Sequence, residues 1–385
     1  MDFELKPEHE RVRQIVREFA EKEITPLVSR DDELVFYNHS MVKKMSEAGI
    51  LGLCIPEKYG GGGYDYISLA IACEEIERVD IACRATLSVH LAFNSFALLQ
   101  WGTEEQKLKY LVPQTKGLRI GAFAISESGS GSDIKNIKTI ARAEGQGFVL
   151  NGVKKWVSLA DVADNFLVFA HTNIDKKDRG ITCFLVEREF SGTKASSTHG
   201  NMQMRFSNAG KLILDNVYVP SDNVIGKVGE GLKVALSAID NGRYTAAAGS
   251  VGLIQACLDA SIKQAKARKV FGQTIGRYQL IQDMIARMGL GLETSRTMVY
   301  KVGWMKNSGL PTTKETAMAK WHSGEVAFKS AADTIQILGS SGYVTSFPYE
   351  RFLRNAKFAE IYSGTKEILE IMVAEYILGF RKDKP

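Results

Sequence analysis

The run Ala124-Ile125-Ser126-Glu127-Ser128-Gly129-Ser130-Gly131-Ser132-Asp133 concentrates hydroxyls and glycines. Glycines expose backbone N–H groups and the hydroxyls add further donors, so such a loop can hydrogen-bond an anionic or heteroaromatic ligand. Taken alone it reads equally as a solvated turn. Further on, Lys155-Trp156-Val157-Ser158 sets an indole beside a hydroxyl, a pairing suited to covering a flat ring, although an isolated Trp is more often core. Other chemistries find no footing. His9, His39, His90, His171, His199 and His322 form neither HExxH nor a Cys/His ligand cluster, so no metal site is expected. His90 lies on an apolar helical stretch and reads as a satisfied buried histidine sooner than a catalytic one. No GxSxG elbow is present, which leaves acyl-transfer hydrolysis without support.

The elements that must position these residues fall into three parts. Residues 1–118 read as helical, with apolar Val12, Ile15, Val16 and Phe19 spaced by charges. Thr25-Pro26 is expected to break the first helix; further helices are expected over 38–49, 67–77 and 85–100. Gly60 to Gly63 reads as a flexible connection, since no strand-to-helix GxGxxG or Walker pattern frames it. Residues 119–228 carry short β-rich runs at 148–150, 165–171, 181–186, 211–214 and 217–219. Asn151-Gly152 and Asp215-Asn216 read as turns between them. No crossover helix intervenes, so an antiparallel barrel or sandwich is expected and not a Rossmann domain. Residues 229–385 return to long helices over 231–269, 278–307, 312–338 and 365–378, and Ala246-Ala247-Ala248-Gly249 permits the close approach of a bundle.

The chain's 385 residues exceed what one core usually supports, and 45% hydrophobic with 24% charged residues excludes collagenous or disordered classes. The net charge of +5 is spread among acidic residues without a basic block, so no nucleic-acid partner is expected. Cys54, Cys73, Cys83, Cys183 and Cys257 form no CxxC pair and read as reduced buried thiols. Met1-Asp2-Phe3-Glu4-Leu5-Lys6 resembles neither a signal nor a transit peptide. No unbroken apolar run reaches the ~18 residues of a membrane span. The expected location is the cytoplasm, or the mitochondrial matrix for a mature imported chain, without membrane insertion.

In order, these pieces resemble the acyl-CoA dehydrogenase family over essentially the whole chain. The resemblance is carried by Phe3-Glu4-Leu5 and Arg17-Glu18-Phe19-Ala20, Leu51-Gly52-Leu53, and Ile55-Pro56-Glu57-Lys58-Tyr59-Gly60-Gly61. Gly102-Thr103-Glu104-Glu105-Gln106-Lys107 then leads into the 124–133 run. Ala267-Arg268-Lys269-Val270-Phe271-Gly272, Gln336-Ile337-Leu338-Gly339-Ser340-Ser341-Gly342-Tyr343 and Ile361-Tyr362-Ser363-Gly364-Thr365 follow. The resemblance implies a mainly α protein with a β domain: an N-terminal helical domain, a central antiparallel β-barrel or sandwich, and a C-terminal four-helix bundle. It also implies FAD and a homotetramer built as a dimer of dimers. By this resemblance Phe123, Ile125, Ser126, Trp156 and Ser158 surround the flavin ring, and Ser132 lies near flavin and thioester. Arg268, Phe271, Gln336, Gly339 and Ser340 hold the adenosine-pyrophosphate half, partly across a subunit interface. Thr365 and Glu367 complete the FAD site, and Asp240 and Arg243 line the pantetheine channel. A guanidinium suits pyrophosphate oxygens, and hydroxyls suit a flavin edge.

The chain departs from the family in one place that matters for chemistry. The family's proton-abstracting carboxylate belongs to a Tyr-Glu-Gly-Thr motif, where this sequence has Tyr362-Ser363-Gly364-Thr365; a second base position, before Arg243, holds Gly242. The Ser363 N–H remains able to polarise a thioester carbonyl, but an unassisted serine hydroxyl is a poor base. Glu360, His90 and Asp240 are weaker substitutes. A second departure lies in Glu77-Arg78-Val79-Asp80 with Arg84 and Ser88, which resembles the stretch where glutaryl-CoA dehydrogenase holds its substrate's far carboxylate. Arg84 and Ser88 are four apart and share a helical face; the alternative is a surface ion-pairing arginine. The expected activity is FAD-dependent oxidation, of EC class 1.3: α,β-desaturation of an atypical acyl-CoA, a terminally acidic one included, with electrons passing to an electron-transfer flavoprotein. The alternatives are a non-redox decarboxylase or desulfinase on a dicarboxylyl- or sulfino-acyl-CoA, and a dehydrogenase of a carrier-protein-bound acyl group. A non-catalytic FAD or acyl-CoA binding protein ranks below these.

Overall fold

The computed structural model describes residues 4–28, 39–197 and 209–382. Phe3, Asn38, His199 and the side chain of His39 lie outside the described residues. The N-terminal part opens with the helix Pro7–Phe19, which turns Val12, Val16 and Phe19 inward. Thr25-Pro26 does not end it. A π-helical segment, Ala20–Ile24, follows directly, and residues 25–28 remain helical. The Thr25 N–H donates to the Ala20 carbonyl, and this wider turn accommodates a proline that the regular α ladder would reject. Helices His39–Glu47 and Tyr66–Glu77 come next. They are followed by one helical path of Ile81–Leu87, a π segment Ser88–Ser95, and Phe96–Trp101. Gly60 to Gly63 is a packed turn and not a loose connection. The Gly62 N–H donates to the Gly52 carbonyl at 3.1 Å and that of Gly63 to Ile55 at 3.0 Å. A Cβ on Gly61 would stand 2.0 Å from the Ile55 oxygen.

The central part is an eight-stranded sheet with the order β6-β7-β3-β2-β4-β5-β8, and β1 pairs with β4. The strands are β1 (Gly121–Ala124), β2 (Ile140–Glu144), β3 (Gly147–Ser158), β4 (Asn165–His171), β5 (Ile181–Glu187), β6 (Thr193–Ser197), β7 (Ala209–Pro220) and β8 (Val224–Ile225). The sheet is mostly antiparallel, as expected, although β1 runs parallel to β4. Asn151-Gly152 and Asp215-Asn216 are not turns, because each lies inside a continuous twelve-residue strand. They face one another at a register shift between β3 and β7. There the Asn216 N–H donates to Asn151 Oδ1 at 2.9 Å, and Asn151 Nδ2 donates to Asn216 Oδ1 at 3.2 Å. The side-chain amides supply what the bulged ladder lacks, which is why turn-favouring residues occur in mid-strand.

Five helices complete the chain where four were expected: Gly231–Ala267, Gln279–Asn307, Thr313–Leu338, Tyr349–Ala359 and Lys366–Ile377. The unforeseen one buries Phe352, Ala356 and Ala359. The Ile81–Trp101 path and the Gly231–Ala267 helix have membrane-spanning length and apolarity, but most of their apolar windows are buried inside the protein. They are core helices. Their crossing depends on Gly249, where a Cβ would lie 1.9 Å from Glu77 Oε2 and 2.6 Å from Arg84 Nε. Gly289 has nothing within 4 Å of its Cβ position, so two glycine-to-alanine changes in the same bundle carry opposite signs. Gly249→Ala is expected to destabilise by about 1–3 kcal/mol through overpacking. Gly289→Ala stabilises by about 0.5–1 kcal/mol through helix propensity. Denaturant unfolding of the two variants checks both.

Candidate functional site

Two groups of sequence-predicted residues meet at the junction of the sheet and the helices. The first forms where β1 and β3 end. Phe123 lies on β1 and Ile125 is buried just after it, while Ser126 and Ser158 are half-buried and Ser132 is exposed. The Lys155 N–H donates to the Ser126 carbonyl at 2.9 Å, tying the glycine-serine loop to β3. Beneath the loop, Lys154 is wholly buried and donates to Glu127 Oε1 at 2.7 Å and to the Ile125 carbonyl at 3.2 Å. Glu127 also accepts from the N–H groups of Lys138 and Thr139. Burial tends to raise this carboxyl, but Lys154 and these donors hold it below the usual carboxylate range. Trp156 is the extra residue of a bulge, where Lys155 and Val157 face successive residues of β7. Its φ of 60° and 65% exposure show the indole turned out of the sheet.

The second group surrounds Ser363. Arg84, only 1% exposed, is not a surface ion-pairing residue. Its Nε pairs with Glu77 Oε2, Nη1 donates to Ser88 Oγ at 3.1 Å, and Nη2 donates to the Tyr362 hydroxyl at 2.5 Å. Burial pushes the Glu77 carboxyl up against the pull of Arg84. Ser363 itself has φ 57°, and its carbonyl accepts from Arg243 Nε at 2.9 Å. Among the described residues its N–H has no protein acceptor. Gly242 lies under the ring of Phe93: a Cβ there would fall 1.9 Å from Phe93 Cζ. Phe93 in turn packs on Phe123 with ring centroids 5.1 Å apart, so one aromatic joins the Ser363 group to the β-sheet group.

The remaining candidates have other partners or stand exposed. Asp240 is engaged by Lys306 Nζ at 2.7 Å. Glu360 pairs with Lys357 at 2.5 Å. Thr365 occupies the position before the Lys366–Ile377 helix without a side-chain capping bond, and exposed Glu367 sits in the first turn. Phe271 and Gly272 both have positive φ and form the turn of the hairpin β9 (Lys269–Val270) and β10 (Gln273–Thr274), which leaves Phe271 95% exposed. Arg268, Gln336, Gly339 and Ser340 are exposed as well. A small core of Ala265, Ile275, Met288 and Ile337 underlies that group.

Several participants were not read from the sequence: Tyr362 as the partner of Arg84, Phe93, and Lys320, whose Nζ donates to the Gly364 carbonyl at 2.7 Å. Lys320 had the clearest signal, a lysine directly after the apolar run Ala317-Met318-Ala319.

This architecture and site can be set beside known proteins. Three domain families match in order: "Acyl-CoA dehydrogenase, N-terminal domain" over residues 6–117, the middle domain over 122–217 and the C-terminal domain over 229–378. The chain is 37% identical over 374 residues to the short-chain specific acyl-CoA dehydrogenase of Clostridium acetobutylicum, covering 97% of this chain and 99% of that one. A glutaryl-coenzyme A dehydrogenase solved with glutaryl-CoA superposes with a TM-score of 0.96 at 36% identity, covering 99% of this chain and 98% of the other. A Mycobacterium smegmatis glutaryl-CoA dehydrogenase in complex with FADH2 gives 0.93 at 28% identity, covering 97% and 95%. The chain therefore belongs to the acyl-CoA dehydrogenase family, a family of FAD-dependent oxidoreductases.

His90 illustrates how the junction is held. It is fully buried, its Nδ1 accepts from the Gly121 N–H at 3.2 Å, and its Nε2 lies 3.1 Å from the Gln114 carbonyl, to which it donates. It is a satisfied structural histidine that ties the π segment to β1, and burial pushes its pKa down to about 4. Its neutral form thus contributes stability that is complete above the unfolded value of about 6.5 and is lost as pH falls toward 4. Urea unfolding should show His90→Gln less stable at neutral pH. Its stability should also fall less steeply between pH 6.5 and 4, by up to about 1.4 kcal/mol per pH unit.

Proposed function

We propose that this chain oxidises an acyl-CoA whose acyl tail ends in an acidic group, by α,β-desaturation with FAD. The observation that carries the substrate class is Arg84. Between the helices lies a buried guanidinium with Glu77, Ser88 and Tyr362 on three of its N–H groups. The two remaining donors have the fork geometry that suits a carboxylate or sulfinate.

The residues at the junction fit FAD. Trp156 projects from its bulge as a flat cover, and Ser126 and Ser158 offer half-buried hydroxyls for a ring edge. Gly129 and Gly131 have open space at their Cβ positions. Phe123, Ile125 and Ser132 complete that wall, and Thr365 and Glu367 border it from the last helix. FAD held there supplies a two-electron acceptor for the β-carbon hydride. The Ser363 N–H, without a protein acceptor among the described residues, polarises the thioester carbonyl and acidifies the α-carbon. Arg243 holds the loop that presents this N–H, and Asp240 borders the pantetheine channel. Arg268 sits just past the C-terminal end of the helix that carries Arg243, twenty-five residues on, about 38 Å away at 1.5 Å per residue. Arg268, Phe271, Gln336, Gly339 and Ser340 therefore serve the adenosine-pyrophosphate half of a neighbouring subunit's FAD. This supports a homotetramer built as a dimer of dimers, with electrons leaving to an electron-transfer flavoprotein.

A second reading has its own support. Among the described residues the base positions read from the sequence are largely closed: position 363 is serine, Phe93 covers Gly242, both His90 nitrogens are engaged, and Glu360 pairs with Lys357. Asp240 pairs with Lys306 through Oδ2, which leaves its Oδ1 as the one buried carboxylate oxygen among them without a partner. Loss of CO2 or SO2 from a terminally acidic acyl group needs no α-proton base: the electron pair of the breaking C–C or C–S bond stays on the carbon, which takes a proton from water, and SO2 is hydrated to sulfite. Such a non-redox lyase uses the same Arg84 and Ser363 contacts, whether the acyl group is carried by CoA or by a carrier protein.

Anaerobic mixing of the holoenzyme with butyryl-, glutaryl- and 3-sulfinopropionyl-CoA separates the readings. Flavin bleaching marks oxidation, whereas product formation without bleaching marks the lyase. Arg84→Ala should lower turnover of the acidic thioesters by at least about a hundredfold, the loss of a charge-assisted pair; unchanged turnover removes the terminal acid from the proposal. Ser363→Glu should create bleaching by butyryl-CoA.

A further inference from the structure

Lys320 is 2% exposed, sits on the Thr313–Leu338 helix, and has no part in the chemistry described so far. Its Nζ donates to the Gly364 carbonyl at 2.7 Å, while Arg243 Nε, from the Gly231–Ala267 helix, donates to the preceding carbonyl of Ser363 at 2.9 Å. Two cations on different helices thus grip consecutive carbonyl oxygens of one loop. The loop is held in a conformation that needs holding, with φ 57° at Ser363 and 100° at Gly364. A Cβ on Gly364 would meet Arg243 Nη2 at 3.1 Å. With both carbonyls committed to the helices, the Ser363 N–H is left without a protein acceptor among the described residues.

Resting on the thioester reading above, we propose that Lys320 is a positioning residue that, with Arg243, holds the Ser363–Gly364 segment so that the Ser363 N–H faces the thioester carbonyl, and that its charge strengthens that polarisation. The charge acts through space: the Gly364 oxygen belongs to the Gly364–Thr365 peptide and the Ser363 N–H to the Tyr362–Ser363 peptide, and a buried ammonium beside the loop favours negative charge developing on a carbonyl bound at that N–H. Its surroundings make the charge titratable. Burial pushes the amine down to about 7, Arg243 adds repulsion, and Glu360 and Glu367 oppose both. The Tyr362 ring lies 5.6 Å away. The grip is therefore charged below about pH 7 and weakens as the ammonium is lost above it.

Lys320→Met and Lys320→Arg in the FAD-loaded enzyme test this with two readouts. Amide hydrogen exchange over residues 360–368 reports the loop without any substrate. Isotope-edited infrared spectra of glutaryl-CoA and butyryl-CoA, carrying carbon-13 at the thioester carbonyl, report polarisation as a shift to lower frequency. Lys320→Met should raise loop exchange about tenfold and abolish the shift. Lys320→Arg should keep both and remove the weakening of the shift above about pH 7 seen in the wild type. Unchanged exchange and shift in Lys320→Met overturns the proposal. So does the same alkaline weakening in Lys320→Arg, or loss of both signals in Lys320→Arg at an unaltered melting temperature. If neither thioester binds the wild type, the thioester reading fails, while loop exchange still decides whether Lys320 positions Ser363.

Discussion

The ion pair between Glu77 and Arg84 is the constraint around which the helical parts are arranged. Both side chains are almost wholly buried, and ions removed from water must recover several kcal/mol each from their partners. The recovery here uses several elements at once: Glu77 ends the Tyr66–Glu77 helix, Ser88 opens the π segment, Tyr362 reaches in from the far end of the chain, and Gly249 leaves the room the pair needs. Taking away one partner would leave the other charge unpaired in the core, a loss of roughly 3–5 kcal/mol. The pair therefore does two things. It fixes the crossing of two core helices, and it fastens the Tyr362–Gly364 loop to the N-terminal part.

The sheet solves a different problem, which is how to aim a few residues outward from an otherwise regular ladder. β3 and β7 achieve it with two bulges, one at Trp156 and one where Asn151 meets Asn216. The second explains why the sequence reading divided β7 in two. Asn-Gly and Asp-Asn favour positive φ and side-chain-to-backbone bonding, and a bulge uses both properties as readily as a turn does. Asn165–His171, a wholly buried strand rich in apolar residues, was by contrast legible with its bounds. The long helices were legible too, because apolar periodicity sustained over more than twenty residues leaves little else to form. Tyr349–Ala359 was hidden behind the preceding Gly, Ser and Pro residues.

Legibility of the site followed the same division between local and distant information. The glycine-serine run and Trp156 announce themselves by composition, and the altered motif at Ser363 stands out once the resemblance is seen. Phe93 over Gly242, Tyr362 on Arg84 and Lys320 under Gly364 are contacts between residues far apart in sequence. Gly249 shows the limit most clearly. It was read correctly as permitting close packing, yet what approaches it is an ion pair and not another helix backbone.

The loop at Ser363 shows how a catalytic side chain can be lost without disturbing the fold. Its backbone conformation is imposed from outside, by Arg243 and Lys320 on two carbonyls and by Arg84 on the Tyr362 hydroxyl. None of these contacts uses the side chain at 363, and no other hydrogen bond or ion pair among the described residues does either. The serine pays only the modest penalty of a left-handed conformation, which any unbranched residue would share. Position 363 is thus free to change its chemistry while the loop keeps presenting the same N–H. Gly242 is different, because Phe93 occupies the volume a side chain would need, so a group introduced there must displace a ring that also packs on Phe123. The two positions lack a carboxylate for unlike reasons, one by substitution on an independent scaffold and the other by occupied space, and only the first can be reversed by a single exchange.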